Sequence, residues 1–309
     1  MEKLCSQHPP KASGMRSYPV LMQGKTVDID LGNVVHRDTW QLCHEFGKQG
    51  NGPGEFESAR GIAAAAEPDE IAVADWKNER VVIFNYQEHT YRSIPVIAND
   101  VAALVSQWVV ISPTLVKVYN KDNTLAFEFN PVPQSEAGMA DVQLVSVAVK
   151  ENGNIIVGDT ERKVLTEHSL PDRSLIYTMP VEIEPDYLTV INDTILISDW
   201  KQGRVDMVDV VDGKAETRST INPTIGGQPV KYCRGVCSNS SGIYIVVDNG
   251  TDNSGHIHHY DCRGQFVSCV AQGLYQPSGI TFTLWNHNHI HEQQLVVADF
   301  HSVRMYHKV

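Results

Sequence analysis

The stretch from residue 46 to residue 84 decides the fold, and it reads FGKQGNGPGEFESARGIAAAAEPDEIAVADWKNERVVIF. A glycine-rich segment is followed by two apolar runs, and Asp75 ends the second run. A short polar turn then leads into a third run, Arg80–Phe84. Short β-branched and apolar runs bounded by turn residues are typical of strands. The stretch therefore predicts short strands that reverse direction at tight turns.

The second run and its aspartate recur along the chain at intervals of about 40 to 50 residues, a spacing typical of propeller blades. Each copy also has an upstream run, a downstream run and a weaker fourth run. The sequence therefore predicts an all-β, six-bladed β-propeller. In each turn the aspartate carboxylate is expected to accept backbone N–H bonds, which makes it a structural anchor. The anchors are Asp75, Asp159, Asp199, Asp248 and Asp299, and Ser112 stands in a degenerate copy.

The last repeat lacks a fourth strand, because the chain ends soon after the run at residues 303–307. The segment Thr39–Phe46 has strand character. An open blade would leave an unpaired edge, so we expect this N-terminal segment to complete the last blade. Residues 1–25 contain three prolines and few apolar side chains. They are predicted to form a disordered lead, and residues 26–309 are predicted to form the propeller.

The stretches Phe46–Phe56 and Ile71–Phe84 resemble the NHL repeat, and Ile195–Val208 is a second similar copy. The resemblance implies a role like that of the propeller in tripartite-motif (TRIM-NHL) ubiquitin ligases, which recognises substrates or partners. The sequence shows no pattern of RING, B-box or coiled-coil modules. The resemblance therefore predicts a non-catalytic protein-interaction platform, not an enzyme, linked to ubiquitin ligase activity only through partner modules.

The predicted partner-binding face carries the loops that lead into the first strand and join the second and third strands of each blade. Tryptophan, tyrosine, phenylalanine and arginine are frequent there, and aromatic residues and arginine dominate interface hot spots. The predicted binding residues are Arg60, Trp76, Lys77, Arg80, Trp200, Lys201, Arg204, Tyr232, Arg234 and Phe300.

Two other functions stay open. The lysines and arginines of this face suggest RNA binding, although a net charge of −12 disfavours phosphate contacts. A metal-dependent hydrolase or lyase is the second alternative, since related enzymatic propellers place metals or catalytic groups on the channel axis. No matching histidine set is apparent across the blades, so no cofactor and no metal are predicted. The histidines at 256, 258 and 259 and at 287, 289 and 291 are interpreted as ordinary polar residues.

The remaining sequence features concern location and partners. No apolar run approaches the ~20 residues that span a bilayer, and the first residues lack the apolar core of a signal peptide. A cytoplasmic location is expected, with no membrane and no DNA partner. The six cysteines form no CxxC pair and are expected to be buried free thiols. The sequence does not identify the partner or the oligomeric state.

Overall fold

The computed structural model describes residues 21–22, 25–26, 39–65, 69–86, 88–133, 136, 138, 141–287 and 290–309. Six four-stranded antiparallel sheets follow one another along the chain, and each sheet is one blade of a β-propeller. The predicted all-β, six-bladed fold is confirmed. Most of the lead predicted for residues 1–25 lies outside the described residues.

The strands are as follows. Ahead of the blades lie β1 (Leu21–Met22), β2 (Lys25–Thr26) and β3 (Trp40–Phe46). Blade 1 has β4 (Ala59–Ala65), β5 (Glu70–Asp75), β6 (Arg80–Asn85) and β7 (Thr90–Pro95). Blade 2 has β8 (Asp100–Ala103), β9 (Gln107–Ile111), β10 (Val116–Asn120) and β11 (Leu125–Phe129). Blade 3 has β12 (Leu144–Val149), β13 (Ile155–Asp159), β14 (Val164–His168) and β15 (Leu175–Pro180).

The second half repeats this order. Blade 4 has β16 (Tyr187–Ile191), β17 (Thr194–Asp199), β18 (Arg204–Val211) and β19 (Lys214–Ile221). A small hairpin follows, β20 (Thr224–Ile225) and β21 (Gln228–Pro229). Blade 5 has β22 (Tyr232–Asn239), β23 (Gly242–Asp248), β24 (Gly255–Tyr260) and β25 (Phe266–Leu274). Blade 6 has β26 (Pro277–His287), β27 (Ile290–Asp299) and β28 (Ser302–Lys308).

The circle of six blades is closed by β3, which is the fourth strand of blade 6. It pairs antiparallel with β28, with Phe46 opposite Val303 and Trp40 opposite Lys308. The first strands of neighbouring blades contact one another around the axis, and β26 of blade 6 contacts β4 of blade 1. The predicted closure by the N-terminal segment is therefore confirmed, and it removes the free edge that blade 6 would otherwise expose.

The core lies between the blades, where the faces of neighbouring sheets pack together. All residues of the second strands β5, β13, β17 and β23 are buried, because each of these strands has a neighbour on both sides and a blade on both faces. Trp108 and Ile83 belong to one cluster shared by blades 1 and 2, and both are fully buried. Such continuous apolar runs explain why the anchor segments were recognisable in the sequence.

Three glycines allow the first strands to approach closely around the axis. A Cβ at Gly61 would overlap Asp100 of blade 2, and one at Gly235 would overlap the backbone of Ser278. A Cβ at Gly279 would likewise overlap the Arg60 carbonyl. These contacts give a physical reason for the glycine that opens the first strand in blades 1, 5 and 6.

The anchor aspartates join the second strand of a blade to its surroundings. Asp75 is fully buried, and its Oδ1 accepts hydrogen bonds from the backbone N–H groups of Glu57 (2.9 Å) and Ser58 (3.1 Å). Asp159 accepts from Gln143 N (3.2 Å), and Asp199 accepts from Glu184 N (3.0 Å). These bonds tie the loop between strands two and three to the segment that leads into strand one.

The segment 287–291 and the exposure of two cysteines differ from the sequence predictions. The segment 287–291 was interpreted as a loop insertion, but its described residues, 287, 290 and 291, belong to the hairpin of β26 and β27. The side chains of its histidines lie outside the described residues. Cys43 and Cys269 are exposed and not buried as expected, although Cys233 and Cys237 are buried.

The described residues include no helix with the length and apolar character needed to cross a bilayer.

Candidate functional site

A polar cavity of about 350 Å³ opens at the end of the axial channel where the first strands begin. Each blade contributes one residue at the same position, two residues before the first apolar residue of the channel wall. We call these six residues the mouth ring: Arg60, Asn99, Val145, Asp186, Arg234 and Ser278. Further along the axis the channel is lined mainly by small and aliphatic residues such as Ile62, Val101 and Leu188. Polar chemistry in the channel is therefore concentrated at this mouth.

Irregular strand pairing directs the side chains of several mouth-ring residues towards the axis. The register of β4 against β5 shifts between Ala59 and Ile62, which brackets Arg60. The same shift occurs in β22 between Cys233 and Val236, around Arg234, and in β26 around Ser278. A β-bulge re-aims a side chain relative to a regular strand, and bulges are frequent beside functional sites.

Arg60 has no carboxylate within ion-pair distance among the described residues. Its guanidinium instead lies over the indole of Trp76, 3.9 Å from the ring centroid. Burial lowers the pKa of Arg60, and the positive charge of Arg234 adds to this effect against the opposing influence of Tyr187. Arg60 is therefore a cation held at the mouth without a neutralising acid, an arrangement that favours an anionic ligand.

Arg234 lies beside an aromatic pair. The rings of Trp200 and Tyr232 stack with centroids 5.0 Å apart, and the Arg234 guanidinium lies 5.7 Å from the Tyr232 centroid. One of its terminal nitrogens is 3.4 Å from the buried anchor Asp248. Nε of Arg234 and Nε1 of Trp200 are buried and have no hydrogen-bond partner among the described residues. Donors in this state are stabilised when a bound oxygen or water supplies an acceptor.

Asp186 is the only carboxylate among the residues that line this cavity. Its Oδ2 accepts a hydrogen bond from the backbone N–H of Trp200 at 2.8 Å. Burial raises the pKa of Asp186 to about 6, and the nearby Asp199 and Glu184 act in the same direction. A carboxyl group with a pKa close to neutrality can accept a proton and release it again under ordinary conditions.

Tyr187 and Ser278 form a second polar pair in the wall. Their hydroxyl oxygens are 2.6 Å apart across the channel, and Ser278 is buried. Burial raises the pKa of Tyr187, although the positive charge of Arg234 opposes this effect. The phenol therefore stays protonated near neutral pH and can donate a hydrogen bond.

The structure separates the ten residues predicted for the binding face into two groups. The cavity wall contains Arg60, Trp200, Arg234 and Phe300, while Trp76 and Tyr232 pack against these residues. The other four make ion pairs outside the cavity wall: Lys77 with Glu57, Arg80 with Asp75, Lys201 with Glu184, and Arg204 with Asp206.

These four ion pairs also bear on the RNA alternative. A lysine or arginine that is already paired with a carboxylate contributes less to a positive surface than a free one. Of the basic residues on this face, Arg60 and Arg234 are the two that line the cavity, and they face inwards. The structure therefore supplies no continuous basic surface among these residues.

The mouth does not fit a divalent metal ion, the group that the metal-dependent alternative would place on the axis. Its wall has one carboxylate and two guanidinium groups, together with the amides of Asn99 and Gln143. Hard divalent cations bind carboxylate and other oxygen ligands, and the two guanidinium groups in the wall repel a cation.

Sequence reasoning found Arg60 and Arg234 but missed Asp186, Tyr187, Ser278, Asn99 and Gln143. A signal for them exists in the register of the repeat. Aligning the first strands on their first channel-lining apolar residue brings Asp186 of blade 4 to the position of Arg60 in blade 1. Blade 4 lacks the glycine that marked this position in blades 1, 5 and 6, so the register was hidden.

Comparison with known proteins gives fold relatives only. No family model and no curated protein matches the chain. Among solved structures, a luciferin-regenerating enzyme is 13% identical, with a TM-score of 0.64 over 84% of this chain and 94% of the other. A gluconolactonase from Xanthomonas campestris is 14% identical, with a TM-score of 0.65 over 88% of this chain and 97% of the other. The class defined by fold is therefore the six-bladed propeller.

The comparison corrects two predictions. Both solved structures are named as enzymes, and both match nearly their whole length to this chain. The predictions of a non-catalytic protein-interaction platform and of a protein that is not an enzyme are therefore wrong. They rested on the NHL resemblance in the loops of blades 1 and 4, which reflects how a blade is built and says nothing about the axis.

Proposed function

We propose that the chain is a hydrolase that cleaves a small ester or lactone carrying an anionic group, at the mouth of the channel. One observation carries the proposal: a 350 Å³ axial cavity holds Asp186, with a pKa of about 6, together with Arg60 and Arg234. The named lactone substrate of the gluconolactonase neighbour supports the choice of ester and lactone chemistry.

The two arginines bind and orient the anionic group of the substrate. The guanidinium of Arg60 is fixed by the Trp76 ring beneath it, and that of Arg234 is fixed near Tyr232. Because neither group moves far to meet the substrate, binding costs little side-chain entropy. Arginine also matches the planar geometry of a carboxylate with two parallel hydrogen bonds.

Asp186 acts as the general base. Its carboxylate accepts a proton from water as the water oxygen attacks the substrate carbonyl carbon. The ester C–O bond then breaks, and the alkoxide leaving group takes the proton back from Asp186, so the products are an acid and an alcohol.

Replacement of Asp186 by asparagine tests this role. We expect hydrolysis of carboxylate-bearing lactones and aryl esters, followed by proton release, to fall 10²- to 10⁴-fold, the range for loss of a general base. In the wild-type protein the rate should rise with pH through about 6, as Asp186 loses its proton. Asp193, an exposed carboxylate at the other end of the same blade, provides the matched control in Asp193→Asn.

Two results would contradict the proposal. One is a rate that stays unchanged in Asp186→Asn while circular dichroism shows an intact fold. The other is the absence of turnover for every lactone and ester of the panel, whether charged or neutral.

A finer relationship to NHL propellers is a separate proposal, and it concerns how the blades are built. The loop Gly47–Phe56 supports it, since Gly47 and Gly54 have positive φ angles of 97° and 69°. A Cβ at Gly47 would lie 2.7 Å from the Phe56 ring, and one at Gly54 would lie 2.8 Å from the Tyr91 ring. We expect alanine at either glycine to lower the melting temperature. An unchanged melting temperature would count against an NHL-type loop.

A further inference from the structure

Blade 5 carries a second cluster of reactive side chains on its two outer strands, whereas the mouth ring lies where the first strands begin. His256 and His258 lie on β24, and Cys269 lies on β25, directly opposite His258 in the strand pairing. Side chains two residues apart on a strand point to the same face, so both imidazoles lie on the side of the sheet that Cys269 shares. One potential ligand atom from each of the three residues lies within 4.8 Å of the others.

The contacts within the cluster are close to those of a coordination sphere. The Sγ of Cys269 is 3.9 Å from Nδ1 of His256, and the two imidazole rings have centroids 5.7 Å apart. Adjacent ligands around a tetrahedral zinc ion, bound at about 2.0–2.3 Å, must lie roughly 3.3–3.8 Å apart. A side-chain adjustment of about an ångström therefore brings the three ligand atoms to bonding distance.

We propose that His256, His258 and Cys269 form a zinc-binding site between the two outer strands of blade 5. Two imidazoles and one thiolate are a donor set that zinc prefers, and three protein ligands leave the fourth position for water. Coordination replaces the S–H bond of Cys269 with an S–Zn bond and releases its proton to solvent. No oxidant or reductant is needed.

The surroundings of the cluster suit a bound ion. His258 is buried and Cys269 is exposed, so the site has a rigid inner side and an open outer side through which an ion can enter. The Tyr260 hydroxyl lies 3.3 Å from Nδ1 of His258. A hydrogen bond to one ring nitrogen fixes the imidazole and leaves the other nitrogen available to the metal.

The site would link β25, the outermost strand of its blade, to β24. Outer strands have only one neighbour and are the first part of a sheet to separate. A zinc ion shared by the two strands binds only when they are paired, so it stabilises the folded blade in proportion to the zinc concentration. The site is independent of hydrolysis at the mouth, which contains none of these residues.

The test is titration of the full chain with Co²⁺ as a spectroscopic substitute for zinc. We expect one equivalent of Co²⁺ to give a thiolate-to-cobalt charge-transfer absorption, and Zn²⁺ to remove it. Cys269→Ser should abolish the band and His256→Gln should weaken binding at least tenfold. Cys262→Ser, in the turn of the same hairpin, and Cys43→Ser, at another exposed cysteine, serve as matched controls and should retain it.

The same titration can overturn the site. Wild-type protein that shows no charge-transfer band in the presence of Co²⁺ would exclude it. A band of equal strength in Cys269→Ser would assign the metal to other ligands. Circular dichroism of each variant separates loss of binding from loss of fold, and the rate of ester hydrolysis should stay unchanged in Cys269→Ser, so failure of this site and failure of the mouth are distinguishable.

Discussion

Two arginines of blade 1 lie on the same face of the propeller and have opposite surroundings. Arg80 donates to the Asp75 carboxylate and to the backbone carbonyls of Asn51, Gly52 and Glu55, at 2.8–3.2 Å. Arg60 has an aromatic ring beneath it and, among the described residues, no carboxylate partner.

Arg60 and Arg80 are the same type of residue on the same face, so only their partners distinguish a structural residue from a residue of the site. An arginine whose donors all have partners in the protein holds the protein together. An arginine that is held in place but has no carboxylate partner can bind an anionic ligand. Arg80 therefore belongs to the loop between blades, and Arg60 belongs to the channel mouth.

The largest expected effect concerns Arg80 and the free energy of unfolding. Arg80→Ala leaves the fully buried Asp75 without its cation and releases three carbonyl groups, so we expect a loss of about 3 kcal/mol in the free energy of unfolding. Arg60→Ala should change this free energy by less than about 1 kcal/mol. Urea unfolding of both variants measures the contrast, and equal losses would remove the distinction.

The next effect concerns catalysis and the two arginines of the cavity wall. Arg60→Ala and Arg234→Ala should each lower kcat/KM for a carboxylate-bearing ester by about 10- to 100-fold, equivalent to about 1.4–2.8 kcal/mol. For a neutral ester of the same shape the loss should be much smaller, since no anion is bound. Arg80→Lys, assayed below its melting temperature, should leave both rates close to the wild type. A uniform loss for both esters would show that the arginines do not bind an anion.

A smaller effect extends the comparison to buried carboxylates. Asp75 is paired with Arg80, whereas Asp100 accepts, from the described part of the chain, only the backbone N–H groups of Val101 and Val147, at 2.9 and 3.0 Å. Burial raises the pKa of Asp100 to about 7, against the hydrogen bonds of those two groups. The folded protein thus keeps a proton on Asp100 in a pH range where the unfolded chain, with a pKa of about 3.9, has released it.

The sign of the pH dependence follows from this difference. Between about pH 4 and pH 7 the folded state binds more protons than the unfolded state, so stability falls as pH rises, by at most about 1.4 kcal/mol per pH unit for one group. Asp186 and Asp299, with pKa values of about 6, contribute in the lower part of this range. Asp100→Asn should flatten the slope between pH 6 and pH 7 in denaturant titrations. A variant with the wild-type slope would contradict the assignment to Asp100.

The smallest expected effect is that of the ring under Arg60. Trp76→Ala removes a cation–π contact worth about 0.5–1 kcal/mol at a partly exposed site, so KM for the charged ester should rise two- to fivefold while kcat stays nearly constant. Trp76→Phe should recover part of the loss. A larger fall in kcat than rise in KM would mean that the indole does more than hold Arg60.

Much of the fold was predictable from the sequence because its signals are local. The buried second strands give continuous apolar runs that end at Asp75, Asp159 and their counterparts, and turn residues separate the strands. The closure by Trp40–Phe46 followed from counting the strands and from the instability of a free edge. Arg60 and Arg234 were also predictable as members of a binding face, since they precede a recognisable glycine.

Only the tertiary structure decided which residues meet. The axis of a propeller brings together side chains that are separated by whole blades in the sequence, so Asp186 joins Arg60 although blade 4 lacks the glycine that marks this position in blades 1, 5 and 6. Likewise, the pairing of β24 with β25 decides that Cys269 faces His258. The sequence by itself determined the repeated strands of each blade. The closing of six blades around an axis decided which side chains form the cavity at the mouth. The reason is that a repeat encodes the local pairing of its own strands, while the site is formed by residues from different copies of the repeat.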